Sequence, residues 1–199
     1  MTGRPPITPE LRGSVRRSTL SSTGCYVNTV IESGRVRFRQ LTTEDVDFVL
    51  AITSDPDWLY FIGDRGVKEP DEAKQYINTS SSSFSQQGFG LWVVESDVVE
   101  GDSRIGLCGF LHRSFLDCPD LGYAFLPHGR GQGLALEAVT LALRWAAKSG
   151  LNSQISAICR CDNTRSLHLL EKAGFTAMGK FFQRDVPTHQ FFLTTISPE

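Results

Sequence analysis

The sequence predicts an α/β domain (of mixed, α+β character): a mixed central sheet of about seven strands with helices on both faces, in the order β-α-α-β-β-β-α-β-α-β-β. Three observations carry this. Short apolar runs recur between turn residues, as strands do. Longer segments with apolar residues three and four apart fall between them, as amphipathic helices do. One apolar strand, Leu121 to Leu126, passes through Pro127 into a basic turn with three glycines, Gly129, Gly131 and Gly133, which opens a long apolar helix.

The elements follow in order. Val36 and Phe38 alternate with Arg35, Arg37 and Arg39, a first strand with one buried face. Thr42-Thr43-Glu44-Asp45 is a helix start, and that helix runs through Phe48, Val49 and Ile52 until Asp55-Pro56 stops it. Glu69-Pro70-Asp71-Glu72 begins a second helix carrying Ala73, Tyr76 and Ile77, and the serine run Ser80 to Ser83 is expected to end it. Gly90 to Glu95, Arg104 to Arg113 and Leu121 to Leu126 are strands. The helix from Gly133 to Ser149 puts Leu134, Ala138, Leu141 and Trp145 on one face and Glu137, Thr140, Arg144 and Lys148 on the other, with Gly150 as its stop. Ile155 to Cys159 is a short strand, Asn163 caps a further helix, and Ala177 to Phe182 and Gln190 to Ile196 close the sheet.

Composition narrows the function. A chain of 199 residues with 40% hydrophobic content fits one globular domain with a core of its own. A formal charge of −2 gives no global attraction to nucleic acid or an anionic membrane, and no apolar run reaches a bilayer span. Five scattered cysteines without C-x-x-C spacing read as reduced thiols of a cytoplasmic protein, and no Cys or His grouping has metal-ligand spacing. Residues 1–34 are Arg- and Ser-rich and poor in acids. They read as a flexible N-terminal extension, with a transit peptide as the alternative, and 35–199 as the domain.

The glycine turn is a place to hold phosphate. Glycines let backbone N–H groups approach an anion, and a helix start adds partial positive charge. Arg130 between the glycines is expected to need an anion, because a cation beside a helix N-terminus is otherwise repelled. The turn is not a P-loop, since no Gly-Lys-Ser or Gly-Lys-Thr occurs. It is not a dinucleotide fingerprint either, because Leu134 or Leu136 stands where the last glycine or alanine belongs. What fits is R-x-x-G-x-A, read as Arg130, Gly133 and Ala135. With Asn163, Ser166 and the run Glu171-Lys172-Ala173-Gly174-Phe175 at the right distance, this resembles the GNAT superfamily of N-acetyltransferases, from Arg35 to the C-terminus. The closest branch is similar to the ribosomal-protein N-terminal-alanine acetyltransferases (RimJ/RimL-like).

The resemblance implies a GNAT fold and an enzyme that moves acetyl from acetyl-CoA to a primary amine, a small molecule or a peptide or protein N-terminus, by direct attack and without a metal. It implies that Arg130, Gly131, Gln132, Gly133, Leu134 and Ala135 hold the pyrophosphate. The backbones of Phe125 and Leu126 then pair with the pantetheine arm, with Asn163 beside it. Pro127 is expected to end strand pairing and open the sheet. Many members carry a tyrosine acid where this chain has Leu170, so Ser166 or a water is expected to serve. Asp120 is expected to be either the base for the amine or only a strand-end acid, and Asp64 and Arg65 in the Gly63–Gly66 turn are expected to bind substrate. The alternative is a non-catalytic acyl-CoA-binding or interaction module of the same fold. Monomer and homodimer are equally compatible.

Overall fold

The computed structural model describes residues 31–183 and 186–197, with 181–183 and 186–188 described as backbone only. The strands are β1 (Ile31–Ser33), β2 (Val36–Gln40), β3 (Leu91–Glu95), β4 (Arg104–Leu111), β5 (Asp120–Phe125), β6 (Gln154–Arg160), β7 (Thr176–Gln183) and β8 (Val186–Thr195). The helices are α1 (Val46–Thr53), α2 (Pro56–Phe61), α3 (Pro70–Gln87), α4 (Leu134–Ser149) and α5 (Thr164–Lys172), with single 3₁₀ turns before α1 and α4. The sheet runs β1-β2-β3-β4-β5-β6-β8-β7. Every neighbouring pair in it is antiparallel except β5 with β6.

Two cores sandwich the sheet. Leu134, Ala138, Val139 and Ala142 of α4 and Leu170 of α5 pack with Phe38, Trp92, Phe110 and Leu121 on one side. Trp145 of α4 adds a T-shaped contact to Trp92, with centroids 4.8 Å apart. Phe48, Val49, Ile52, Trp58, Ala73 and Ile77 of α1 to α3 form the other core with Val93 and Leu107. This apolar layering on both faces follows from the spacing of the apolar positions.

The structure corrects three expectations of local structure. Asp55-Pro56 stops α1 but also starts α2: the Asp55 carboxylate accepts the N–H groups of Asp57 (3.0 Å) and Trp58 (3.2 Å), and Pro56 takes the first helical position. The serine run does not end α3. Ser82 and Ser83 return their hydroxyls to carbonyls four residues back (2.8 and 3.1 Å), and Phe84 anchors the last turns in the core. Gly88 then ends the helix with φ 78°. The third is β1, which lies in the stretch read as an extension and pairs Ile31 with Phe38. Residues 1–30 lie outside the described residues.

Candidate active site

β5 and β6 pair at one position, Asp120 with Ser156, and then part. The Ser156 N–H donates to the Pro119 carbonyl at 2.9 Å and closes the apex. On its other edge β5 stays in register with β4 as far as Gly106–Phe125, and the Leu126 N–H reaches the Ile105 carbonyl at 2.9 Å. Pro127 therefore ends pairing with β4 only, because the β6 side is already open beyond Asp120. Alternation along a strand turns the backbone groups of Leu126 and Ala124 toward β4 and those of Tyr123 and Phe125 toward the gap. Of the two residues expected to meet a pantetheine arm, Phe125 faces the open edge, with its carbonyl already accepting from the Arg130 Nε at 2.7 Å. Leu126 does not, since its N–H is already bonded.

Beyond the gap lies the glycine turn, and each glycine has its own reason. Gly129 is packed so closely that a Cβ would lie 2.7 Å from that of Ile105. Gly131 and Gly133 both have φ 79°, and Gly133 is the N-cap of α4. No side chain caps that helix, so its first N–H groups, those of Gly133, Leu134 and Ala135 among them, are left without helical acceptors. Nothing lies within 4 Å of a Cβ at Gly131. A phosphate suits such a start: the first N–H groups lack helical acceptors, the dipole is favourable and the approach at Gly131 is open.

Arg130 is placed differently from the expectation. The anion it needs comes from inside the chain: its Nε donates to the Phe125 carbonyl (2.7 Å), and its two Nη groups to Asp57 (2.8 Å) and Asp55 (2.7 Å). Asp57 also accepts from Arg165 of α5 at 2.8 Å. The side chain thus ties the turn to the start of α2. The cation beside the turn is Arg35, whose Nη2 donates to the Gln132 carbonyl at 2.9 Å and pairs with Glu137. Nothing in the local pattern of the turn points to a residue so far back in the sequence.

Asn163 caps α5 as the sequence predicts, accepting the Ser166 N–H at 3.1 Å. The Ser166 hydroxyl meets the Tyr123 hydroxyl at 2.6 Å, so a β5 side chain spans the gap to the first turn of α5. Tyr123 is a residue that reading the sequence missed, since a tyrosine in an apolar strand carries no distinguishing signal. Leu170 is in the core, 1% exposed. Asp120 is as buried, 1% exposed: one oxygen takes the Arg113 Nε and the other lies 3.4 Å from the Ser156 hydroxyl. Burial pushes its carboxyl up, against the opposing charge of Arg113. Asp120 is thus a buried acid with both oxygens engaged, at the start of the strand that borders the gap.

On the outer face Tyr60 of α2 donates to Asp162 at 2.9 Å, and the Arg160 guanidinium lies over its ring, 4.7 Å from the centroid. The indole N–H of Trp58, on the same helix, is buried with no hydrogen-bond partner among the described residues. Asp64 caps its own turn, accepting the Gly66 N–H at 2.7 Å, and its ion-pair partner is Lys68 at 3.4 Å, not Arg65. Asp64 and Arg65 are both exposed, and no hydrogen bond or ion pair ties them to the gap. Cys108, Cys118 and Cys159 are free thiols, and burial pushes those of Cys108 and Cys159 up, which makes them poor nucleophiles. No group of His, Cys, Asp and Glu among the described residues is arranged to hold a metal, and no described helix is long and apolar enough to cross a membrane.

Comparison with known proteins agrees with this architecture. Among curated proteins, the chain is 24% identical over 155 residues to the uncharacterized N-acetyltransferase YoaA of Bacillus subtilis, covering 75% of this chain and 84% of that protein. Among solved structures it resembles RimL, a ribosomal L7/L12 alpha-N-protein acetyltransferase in complex with coenzyme A. The TM-score is 0.70 at 17% identity, over 85% of this chain and 99% of that one. It also resembles a spermidine N-acetyltransferase from Vibrio cholerae in complex with CoA and spermine, with a TM-score of 0.68 at 17% identity, over 82% and 97% of the two chains. At that identity the likeness is one of fold. The profile of the acetyltransferase (GNAT) domain matches residues 35–176, and on that match the chain belongs to the GNAT acetyltransferase family.

Proposed function

We propose that this protein transfers an acetyl group from acetyl-CoA to a primary amine by direct attack. The observation that carries the proposal is the unpaired edge of β5 beyond Asp120, running toward an uncapped α4 start. An extended arm can add to that edge as a strand would, and its pyrophosphate then meets the N–H groups of Gln132 to Ala135. Structural relatives in complex with coenzyme A, or with CoA and spermine, support the donor and an amine as acceptor.

The chain's own groups set the chemistry. A leaving thiolate of pKa ~8.5 is tolerable near neutrality, so the amine is the demanding partner. An alkylammonium of pKa ~10.4 is neutral in about one molecule in a few thousand at pH 7, against about one in ten for an α-amine of pKa ~8. Asp120, closed off by Arg113, anchors the apex, and the amine's proton passes to water. Asp55, Asp57, Asp120 and Asp162 are each paired with an arginine, so these four carboxylates offer little free charge to a polycation. The acceptor that fits best is a peptide or protein N-terminus, as in the ribosomal-protein branch, or a small α-amine.

Release of CoA from acetyl-CoA, measured with a panel of amines, tests this. Peptides with a free N-terminal amine are expected to be turned over with higher kcat/KM than spermidine. Binding of acetyl-CoA without turnover of any amine would leave a non-catalytic acyl-CoA-binding module.

A further inference from the structure

The acid that the family often places on α5 is absent here, because Leu170 is apolar and buried. A hydroxyl pair nevertheless joins β5 to α5. Tyr123 stands on β5 three residues beyond the apex, and its side chain packs on the α4 side of the sheet. Its hydroxyl is 2.6 Å from the Ser166 hydroxyl and 3.3 Å from the Ser166 carbonyl. Ser166 is in turn fixed by the Asn163 cap, which holds its N–H at 3.1 Å. The pair thus joins the β5 arm of the gap to the helix that follows the β6 arm.

From this we infer that Tyr123 is a positioning residue that aims the Ser166 hydroxyl at the sulfur departing from the acetyl group; the inference rests on the acetyl-transfer reading above. Tyr123 has two acceptors on Ser166. When its hydrogen turns from the carbonyl to the Ser166 oxygen, the serine's own hydrogen is released, with the neighbouring Cys159 sulfur as a weak competing acceptor until the CoA sulfur arrives. A chain of donors, tyrosine to serine to sulfur, is then polarised in one direction and strengthens each link. The amine nitrogen bonds to the acetyl carbon, the carbon–sulfur bond breaks and the electron pair stays on sulfur. The amine's surplus proton passes to water. The sulfur anion holds the Ser166 hydrogen bond until solvent protonates it.

The surroundings keep the pair neutral. Cys108 and Cys159 face the same side, and burial pushes both thiols up, as it does the Tyr123 phenol. Tyr123 is therefore a permanent donor near neutral pH, and a thiolate arriving beside it meets no competing negative charge from these groups.

The test is the acidity of the CoA thiol when CoA is bound, followed by the ultraviolet absorbance of the thiolate, together with kcat for acetyl-CoA. Tyr123→Phe is expected to make the bound thiol about tenfold less acidic, one pKa unit, and to lower kcat by about tenfold with KM for acetyl-CoA within about twofold. Ser166→Ala, at a half-buried helix position that alanine fills readily, should weaken the thiol's acidity at least as much. The double variant should be no worse than Ser166→Ala, since Tyr123 acts through Ser166. A bound thiol with unchanged acidity in either single variant overturns the inference, as do losses that multiply in the double. Failure of the wild-type protein to bind CoA at all would instead remove the acetyl-transfer reading, and this inference with it.

Discussion

Arg130→Ala is expected to lower the stability of the fold by about 2–3 kcal/mol, measured by chemical denaturation. Asp55 is buried, its side chain 6% exposed, and truncating Arg130 leaves that carboxylate without its guanidinium. Removing one partner of a fully buried pair costs about 3–5 kcal/mol; Arg130 is 28% exposed, so the effect is expected to be smaller here. The cap that Asp55 provides to α2 survives, which is why the helix is strained and not lost. Arg130→Lys is not expected to restore stability. One ammonium cannot serve the Phe125 carbonyl, Asp55 and Asp57 together in the way the planar fork does. An Arg130→Ala variant with unchanged stability and much weaker acetyl-CoA binding would contradict this and return the residue to phosphate binding.

The second large effect concerns the turn itself. Gly131→Asp should weaken acetyl-CoA binding by about 10- to 30-fold relative to Gly131→Asn, because a carboxylate beside a bound pyrophosphate repels it through a partly screened medium. The comparison isolates charge. Asn and Asp both tolerate a positive φ better than other side chains, and a Cβ at Gly131 meets nothing within 4 Å. Gly133→Val is a poorer probe, since φ 79° strains a β-branched residue at the cap and mixes folding with binding. Equal affinities in the Asp and Asn variants would show that no anion approaches the turn.

How far the sequence spoke depends on the range of the interaction. Periodicity and caps are local, so β2 to β8, α1, α4 and α5 were legible, as was the Asn163 cap. The end of α3 was not. A serine run reads as a breaker until Phe84 is seen to be buried and the hydroxyls are seen to bond back along the helix. The glycine turn was legible as an uncapped helix start because its requirement is backbone conformation, which glycine spacing records. The partner of Arg130 was not, because Asp55 and Asp57 lie on another helix, 75 and 73 residues away. Arg35, Tyr123 and the closed state of Asp120 were hidden for the same reason: each depends on a contact that only the folded sheet brings about.

The most direct measurement is a calorimetric titration of the full chain with acetyl-CoA, NAD and ATP. The open β5 edge and the uncapped α4 start predict that acetyl-CoA binds at one site per chain, and more tightly than NAD or ATP, because only acetyl-CoA has an extended arm to add to the strand as well as a pyrophosphate for the turn. Tighter binding of NAD, or of ATP, would contradict the account.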